Sequence, residues 1–457
     1  MGNVNMATTA YNWNTLVVGL GQTGLSVARY LHSRGIAFAV VDSRVNPPGK
    51  DELLAQFPAA PYAFGAFSDA GELFAQAATL VVSPGIAIAT PEIRAAGERG
   101  AAIIGDIELF VREAQAPVIA ITGSNGKSSV TTLVDLMAKT AGMRSYAGGN
   151  LGYAALDLLA QPVPDLYVME LSSFQLETTQ SLQAVSAVVL NVSEDHLDRY
   201  DSYADYAATK AVIYRNCGCA VVNRDDPLVM AMLADWMDAE RSRSVSFGLD
   251  IPAAGHYGVR EHNGRRWLAK GETLLLAADA MKLPGEHNLA NALAALALGE
   301  AAGIPLAGML TALCEFTGLA HRTQWVRERQ GVNWYNDSKG TNVGATLAAL
   351  AGLPGKTVLI AGGQGKGADF SPLRPVAAEK ARAVILIGED RNKIADVLEG
   401  YVTYLLAQSM EDAVEVAAEL AQPGDNVLLS PACASFDMFK GYGHRGDVFS
   451  DAVRGLP

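Results

Sequence analysis

Short apolar runs rich in β-branched residues alternate with helical patterns along most of the chain. Buried strands that alternate with helices are typical of parallel sheets covered on both faces. The pattern therefore predicts an α/β fold with doubly wound sheets. The predicted strands are TLVVG (15–19), IAFAVVD (36–42), TLVVS (79–83), PVIAIT, LYVMEL, SAVVLN and CAVVN, and later VNWYND, KTVLIAGG, AVILIG and NVLLS.

Two segments depart from this alternation. HYGVREHNGRRWLAKGETLLL alternates polar and apolar residues around Asn263-Gly264, which predicts a small antiparallel hairpin. The longest apolar stretch begins at Ala290 but contains Glu300 and Pro305, so it is too broken for the roughly 20 apolar residues of a membrane span. We expect a buried helix pair there and no membrane-spanning segment.

The length of 457 residues indicates three domains, at roughly 150 residues each. One weak boundary lies near residue 110, where REAQAP precedes a new strand. The other lies near residue 320, where FTGLAHRTQW joins an Ala-rich helix to another strand. We therefore predict domains at 1–110, 111–319 and 320–457.

Composition narrows the functional classes. Half of the residues are hydrophobic, 18% are charged and the net charge is -13, which excludes a disordered chain and disfavours binding to nucleic acid. The leading residues carry no Lys or Arg and do not resemble a secretory signal. The cysteines lack a metal-ligand spacing and fit a reducing compartment, so we expect a cytoplasmic protein. They are Cys217, Cys219, Cys314 and Cys433.

A Gly-rich turn, GLGQTG at 19–24, follows the first predicted strand, and Asp42 ends the next one. This spacing is the dinucleotide-binding pattern, in which the start of a helix receives a pyrophosphate. A tight turn without a ligand is the alternative. Taken alone, the turn favours a nicotinamide-dependent dehydrogenase.

A second Gly-rich segment makes a dehydrogenase a less favoured interpretation. The predicted strand PVIAIT runs directly into Gly123-Ser124-Asn125-Gly126-Lys127-Ser128-Ser129 and then into a helical pattern. Backbone amides of such a loop cradle phosphate oxygens, Lys127 reaches the β and γ phosphates, and the hydroxyl of Ser128 or Ser129 binds Mg²⁺. The loop is two residues shorter than the usual form, but the strand before it and the helix after it indicate a nucleotide site.

Three polar residues follow the loop. Glu170 and His196 end strands where a parallel sheet opens onto its ligand crevice, and their side chains suit a hard cation. Alone, Glu170 is more often a helix cap and His196 a buried imidazole. Lys210 lies on a largely apolar helix and either reaches solvent or, after carbamylation by CO₂, supplies an anionic oxygen to a metal.

Further polar residues follow towards the C-terminus. Asn288 and Asn291 share one helix face, where they cap the helix or read a base edge. His321-Arg322 and three polar loops at strand ends, 336–342, 362–370 and 430–437, come later. Three such loops on one sheet edge indicate a binding site.

Together these motifs resemble the Mur ligase family of ATP-dependent amide-forming enzymes of peptidoglycan synthesis. The resemblance runs from about Thr15 to Arg445. It implies an N-terminal Rossmann-like domain for a UDP moiety, a central P-loop domain for ATP and a C-terminal Rossmann-like domain for an amino acid. It also implies UDP-N-acetylmuramoyl-L-alanine, ATP and D-glutamate as substrates and Mg²⁺ as cofactor. The motifs are TGSNGKSS, ELSSFQLE, EDHLDRY, HNLANA, NDSKGTN and SPACASFD.

The resemblance also implies roles for particular residues. The UDP substrate is expected to contact Gln22, Thr23, Asp42, Ser43, Ser83, Gly85, Asn150, Ser172 and Gln175. ATP is expected to contact Gly123, Asn125, Gly126, Lys127, Ser128, Ser129, Asn288, Asn291, Arg322, Asp337 and Lys339. The expected metal ligands are Ser128, Glu170, His196 and carbamylated Lys210, and the catalytic set is Lys127, Glu170, His196 and Lys210. D-glutamate is expected at Thr341, Lys366, Ser435 and Tyr442, where the family more often has Phe in place of Tyr442.

Several alternatives stay open at this point. A related ligase that adds another amino acid, or a folylpolyglutamate-type ligase, shares the ATP motifs. A dehydrogenase and a non-catalytic nucleotide-binding module are the remaining classes. We also expect a monomer, whose domains close over the substrates by hinges near the two weak boundaries.

Overall fold

The computed structural model describes residues 3–5, 12–193, 199–200, 202–236 and 243–457. The chain forms two compact units. The first comprises Met1–Arg260, Leu268–Leu275 and Ala290–Ala312, and the second comprises Glu261–Trp267, Leu276–Leu289 and Leu313–Pro457.

The N-terminal lobe of the first unit is a sheet of order β1-β4-β3-β2-β5-β6, in which β1 runs antiparallel to β4 and the other pairs are parallel. Helices cover both faces, so β2 and β3 are buried along their whole length. The elements are β1 (Asn3–Asn5), β2 (Thr15–Val18), α1 (Gln22–Ser33), β3 (Phe38–Asp42), α2 (Lys50–Gln56), β4 (Tyr62–Phe64), α3 (Gly71–Gln76), β5 (Thr79–Val82), α4 (Pro91–Glu98), β6 (Ala102–Ile104) and α5 (Asp106–Glu113).

The central lobe is built on a sheet of order β15-β14-β13-β12-β11-β10-β7-β9-β8. Its elements are β7 (Val118–Thr122), α6 (Lys127–Thr140), β8 (Ser145–Gly149), α7 (Ala155–Leu158), β9 (Leu166–Glu170), α8 (Ser173–Leu176), β10 (Ser186–Val189), α9 (Tyr203–Ala211), β11 (Cys219–Asn223), α10 (Pro227–Trp236), β12 (Arg243–Phe247), β13 (Tyr257–His262), β14 (Arg265–Lys270) and β15 (Thr273–Ala277). Strand β7 lies between β9 and β10, where the strand order reverses, and ligands bind at such a point. The predicted hairpin is confirmed, since Asn263 and Gly264, at φ of 51° and 71°, join β13 to β14.

The predicted helix pair is also confirmed, as α11 (Glu286–Ala301) and α12 (Leu306–Glu315). The segment 292–298 of α11 is almost wholly buried. In the part of the chain that the structure describes, no helix is long and apolar enough to cross a membrane.

The second unit contains a sheet of order β16-β17-β21-β18-β19-β20, in which β16 is antiparallel to β17. Alternate residues of β18 enter two different apolar clusters, because Val358 and Ile360 pack on one face and Leu359 and Ala361 on the other. The elements are β16 (Gln324–Arg329), β17 (Val332–Asn336), α13 (Val343–Gly352), β18 (Thr357–Gly362), α14 (Leu373–Lys380), β19 (Ala381–Ile387), α15 (Arg391–Leu398), β20 (Tyr404–Leu406), α16 (Met410–Leu420), β21 (Asn426–Leu429) and α17 (Tyr442–Gly455). The α/β class with three largely parallel sheets is confirmed.

The N-terminal and central lobes share one apolar core. Val17 and Phe38 belong to the same buried cluster as Met169 of β9. Phe110 of α5 packs edge-on against Tyr167, with ring centroids 5.1 Å apart. The boundary predicted at residue 110 falls inside α5, whose apolar face contributes to both lobes.

Candidate active site

The predicted phosphate-binding loop lies between β7 and α6. Gly123 and Gly126 adopt φ of 151° and 83°, values that residues with a side chain rarely adopt. The Ser124 amide donates to the carbonyl oxygen of Asn191, and the Asn125 amide donates to Asn191 Oδ1 at 2.8 Å. These bonds fix the loop to the segment after β10. The first amides of α6 have no acceptor within the helix, so they are available to a phosphate.

Two ammonium groups converge on this loop. Lys127 Nζ donates to the carbonyl oxygens of Gly123 and Ser124 at 2.8 and 3.0 Å. Lys210 Nζ donates to the same Gly123 oxygen at 3.1 Å and lies 4.5 Å from the centre of the Tyr206 ring. Lys210 is 2% exposed, so it does not reach solvent as an ordinary surface lysine does. The concentration of positive charge suits a triphosphate.

Glu170 ends β9 and is buried. Its Oε1 accepts a hydrogen bond from Asn150 Nδ2 at 2.7 Å, while its Oε2 has no hydrogen-bond partner among the described residues. A buried oxygen in this state is costly unless a cation is bound, and a carboxylate oxygen is a ligand that Mg²⁺ prefers. His196, the other predicted metal ligand at a strand end, lies outside the described residues. Among the described residues, no three His, Cys, Asp or Glu side chains are grouped so that they could hold a metal ion.

A cavity of 580 Å³ lies beside the Gly-rich turn after β2 and is lined by residues of both lobes of the first unit. The turn after β5 and the loop after β8 complete its wall. The lining includes these predicted UDP-substrate residues: Gln22, Thr23, Asp42, Ser43, Ser83, Gly85, Asn150 and Gln175. Ser172, also predicted, adjoins the wall, because its Oγ accepts a hydrogen bond from the Gln175 amide at 3.2 Å.

The carboxylate of Asp42 is hydrogen-bonded to other groups of the protein. It accepts hydrogen bonds from the Leu20 amide at 2.7 Å and from Arg44, whose Nε and Nη2 lie 2.8 and 2.7 Å from its two oxygens. Burial opposes ionisation, but these hydrogen bonds hold the pKa of Asp42 below its usual value. Asp42 therefore orients the guanidinium of Arg44, which lines the cavity. The sequence reasoning missed Arg44, although an arginine two residues after a strand-end carboxylate was the available signal.

Gln175 has a fixed amide. Its Oε1 accepts from the Ser172 amide at 3.1 Å, and its Nε2 donates to Asp106 Oδ2 at 3.3 Å. Burial raises the pKa of Asp106 to about 6. The two hydrogen bonds determine which end of the Gln175 amide is the donor.

Arg199, in the EDHLDRY motif, contacts a turn of the N-terminal lobe. Its guanidinium donates to the carbonyl oxygens of Pro84 and Ile86 at 3.3 and 2.9 Å, and it lies 4.3 Å from the Phe174 ring. It pairs with Glu177 at 3.3 Å. The turn that carries Ser83 and Gly85 is thereby held by the central lobe.

In the second unit, the predicted loops meet at the carboxyl edge of the sheet. The Ala432 amide donates to Gly340 O, and Gln364 and Ala434 exchange two backbone hydrogen bonds of 3.0 and 2.9 Å. Lys366 and Ala432 adopt φ of 52° and 57°, which is strained for residues with a side chain. Such strain clusters at functional sites.

The predicted D-glutamate residues lie on these loops or at the start of α17. Lys366 and Thr341 are exposed, Ser435 is buried, and Tyr442 is 41% exposed, with Lys339 Nζ 5.3 Å from its ring centre. Tyr442 thus offers a ring face to a cation, as Phe would.

The predicted nucleotide residues divide between the two units. Asn291 adjoins the phosphate-binding loop, since a Cβ on Gly126 would lie 2.6 Å from Asn291 Oδ1. Asn288 Nδ2 donates to Pro284 O at 2.8 Å. Asp337 is held by Thr323 and Ser430, and burial raises its pKa to about 6. Arg322 is exposed at the same edge of the second sheet.

A phosphate-binding loop, a cavity at a dinucleotide-type turn and a third nucleotide-type sheet define a multidomain nucleotide-dependent enzyme. Three family models match the chain: "Mur ligase MurD-like, N-terminal domain" at residues 13–105, "Mur ligase middle domain" at 121–299 and "Mur ligase, glutamate ligase domain" at 321–433.

Curated relatives extend the match to nearly the whole chain. The UDP-N-acetylmuramoylalanine--D-glutamate ligase of Nitrosococcus oceani is 54% identical over 442 residues, covering 96% of each chain. That of Pseudomonas aeruginosa is 52% identical over 445 residues, covering 96% of this chain and 98% of the relative. The chain belongs to the Mur ligase family.

Solved structures agree on the fold. The UDP-N-acetylmuramate-alanine ligase of Thermotoga maritima aligns with a TM-score of 0.55 and 20% identity, covering 97% of this chain and 99% of that one. A UDP-N-acetylmuramoyl-L-alanyl-D-glutamate--2,6-diaminopimelate ligase aligns with a TM-score of 0.60 and 20% identity, covering 82% and 92%.

Proposed function

We propose that this chain is an ATP-dependent ligase that joins D-glutamate to UDP-N-acetylmuramoyl-L-alanine, with ADP and phosphate as the other products. One observation carries the proposal. Asn150 lines the cavity of the first unit and donates to Glu170, at the strand end next to β7 and its phosphate-binding loop. A substrate that fills the cavity therefore presents its reactive end to the nucleotide.

The chemistry requires activation, because a carboxylate does not condense with an amine at neutral pH. In the first step an oxygen of the L-alanyl carboxylate attacks the γ-phosphorus of ATP, the bond to the β-γ bridging oxygen breaks, and ADP leaves. Catalysis of this step is mainly positioning and charge neutralisation. Lys127 supports it, because its ammonium lies on the phosphate-binding loop.

In the second step the neutral amine of D-glutamate attacks the carbonyl carbon of the acyl phosphate. A tetrahedral intermediate forms, the C–O bond to phosphate breaks, and the amine nitrogen loses a proton. We assign Thr341, Lys366, Ser435 and Tyr442 to the amino acid. Asn288, Asn291, Arg322, Asp337 and Lys339 are assigned to ATP.

Mg²⁺ fits the residues present, since Glu170 offers a buried carboxylate oxygen without a partner among the described residues. When bound, the ion neutralises phosphate charge and polarises the reacting oxygens. We assign its ligands to Glu170, Ser128 and His196. A carbamate on Lys210 would add an anionic oxygen, and the burial of Lys210 beside the loop supports this assignment.

The three predicted domains, 1–110, 111–319 and 320–457, would bind the UDP moiety, ATP and the amino acid in that order. We place the reaction in the cytoplasm, which agrees with Cys219, Cys314 and Cys433 being thiols outside any disulfide. A monomer is proposed, and light scattering of the purified protein tests it.

The decisive experiment measures phosphate release from ATP with UDP-N-acetylmuramoyl-L-alanine and a panel of D- and L-amino acids. We expect release with D-glutamate and little with L-glutamate or L-alanine. Preference for another amino acid would identify a different ligase of the family. Release of no phosphate with any amino acid would contradict a ligase function. Binding of NAD(H) to the N-terminal cavity would revive the dehydrogenase interpretation.

A further inference from the structure

Arg445 of α17 is an arginine buried to 1% exposure. Its Nη2 and Nε donate to the backbone oxygen and Oγ of Ser338 at 2.8 and 2.9 Å, and its Nη1 donates to the backbone oxygen of Cys433 at 3.1 Å. Ser338 Oγ in turn donates to the backbone oxygen of Tyr442 at 2.8 Å. One guanidinium therefore joins the loop after β17, the loop after β21 and the first turn of α17.

These three segments carry residues assigned to the amino acid. Thr341 follows Ser338 by three positions, Ser435 follows Cys433 by two, and Tyr442 is itself a partner in the network. Because the planar guanidinium donates in fixed directions, a change in its position shifts all three segments together.

Arg445 makes no ion pair with a carboxylate of the described residues, although the negative charge of Asp437 favours the charged form of its guanidinium. Burial lowers the pKa of the guanidinium to about 10, so it still carries its charge at neutral pH. Burial of the cation outweighs the effect of Asp437, so its charge is only partly compensated, and a nearby anionic ligand reduces the remaining cost. An acidic amino acid with a neutral amine brings two carboxylates.

We infer that Arg445 is a positioning residue that aligns the three segments of the amino-acid site, and that its buried charge favours an acidic amino acid there. The inference rests on the proposed function, which assigns this site to D-glutamate. Arg445 acts through Ser338, Cys433 and Tyr442 and need not touch the substrate.

The test compares Arg445→Gln, which removes the charge, with Arg445→Lys, which keeps the charge but loses the planar fork. Arg374→Gln is the matched control, since Arg374 binds Val397 O at 2.9 Å and contacts Tyr401, away from the three loops. Michaelis constants for D-glutamate, ATP and the UDP substrate are measured together with thermal unfolding.

We expect Arg445→Gln to raise the KM for D-glutamate at least ~10-fold and the KM for ATP by a smaller factor, because Asp337 and Lys339, which flank Ser338, are assigned to ATP. The KM for the UDP substrate should change less than about threefold. Arg445→Lys is expected to lie between Arg445→Gln and the wild type, and Arg374→Gln to match the wild type.

A lowered melting temperature with an unchanged KM for D-glutamate would overturn the inference, because it would show a purely structural role. If Arg445→Gln does not fold, Arg445→Lys decides by the same comparison of Michaelis constants. If the wild type prefers another amino acid, the proposed function fails, and the variants are then assayed with that amino acid.

Discussion

At the scale of single residues, Lys127 and Lys210 bring two ammonium groups to one carbonyl oxygen, that of Gly123. Both side chains therefore lie beside the loop whose backbone amides are available to a phosphate. A triphosphate bound to this loop would lie next to both ammonium groups.

Lys127→Ala removes a donor that we assign to the phosphates, and we expect turnover to fall on the order of 10³-fold. Steady-state phosphate release under saturating substrates measures the effect. Lys139→Ala is the matched control on the same helix, because Lys139 is exposed and pairs with Asp135. A loss below about tenfold for Lys127→Ala would contradict its assigned role.

Lys210→Ala tests the metal-ligand assignment of Lys210. We expect the variant to lose most of its Mg²⁺-dependent activity, because neither an ammonium nor a carbamate is then present beside the loop. Mass spectrometry of the native wild type should show the CO₂ adduct, and prolonged CO₂ depletion should lower its activity reversibly. Equal activity of variant and wild type would remove Lys210 from the mechanism.

Sequence motifs indicated candidate site residues only where those residues belong to the motif itself. Residues that matter because of a contact with another part of the chain were missed. Arg44 became visible only when its pairing with Asp42 and its place in the cavity wall were known. Arg199 holds a turn 113 to 115 residues away in the chain. A contact at that separation leaves no local pattern, so single-sequence reasoning has no signal for it.

At the scale of elements, every strand predicted from an apolar run is present. Several strands that were not predicted are short, such as β4, β6 and β20, each of three residues. Strand β12, RSVSF, was also missed, although it has five residues and lies inside the central sheet. A three-residue strand contains too few positions to show a hydrophobic period. Strand β8, SYAGG, was missed because its glycines are unfavourable in strands, yet a Cβ on Gly149 would lie 2.4 Å from Glu170 O.

Helix α5 illustrates how one element joins two lobes. Glu108 accepts hydrogen bonds from the Gln180 and Ser181 amides at 2.7 and 2.9 Å, and Asp106 contacts Gln175. Although burial opposes its ionisation, these bonds lower the pKa of Glu108. The carboxylates of Asp106 and Glu108 thus differ, because Asp106 accepts hydrogen bonds from fewer donors.

This difference predicts a pH dependence. Burial raises the pKa of Asp106 from 3.8 to about 6, so between these values the folded state binds more protons than the unfolded state. Protonated Asp106 therefore stabilises the folded state relative to the unfolded state. This contribution is fully present below about pH 4 and is lost as the pH rises through about 6. We expect Asp106→Asn to lack this loss, which amounts to about 3 kcal/mol at most.

Thermal unfolding from pH 4 to 8 measures the effect as a difference between the melting curves of variant and wild type. Exposed Asp51→Asn serves as control and should follow the wild type. Parallel curves for Asp106→Asn and wild type would show that Asp106 does not titrate in this range.

At the scale of the whole molecule, the acyl phosphate must react with the amine before water hydrolyses it. We therefore expect the domains to close around the substrates. The sequence suggested hinges near residues 110 and 320. Inside the first unit, however, Asp157 binds Ser26 and Arg29 at 2.9 and 2.8 Å, and α5 packs into the shared core. Bending near residue 110 would break these contacts, so we now expect movement near residue 320.

Solution scattering and amide exchange test this expectation together. With a non-hydrolysable ATP analogue, the UDP substrate and D-glutamate all present, the radius of gyration should decrease. Exchange should then change around residues 313–323, while the amides of 105–117 should exchange as they do in the free protein, because the core around them persists in both states. An unchanged radius would contradict closure. A smaller radius with altered exchange at 105–117 would instead place the hinge at the first boundary.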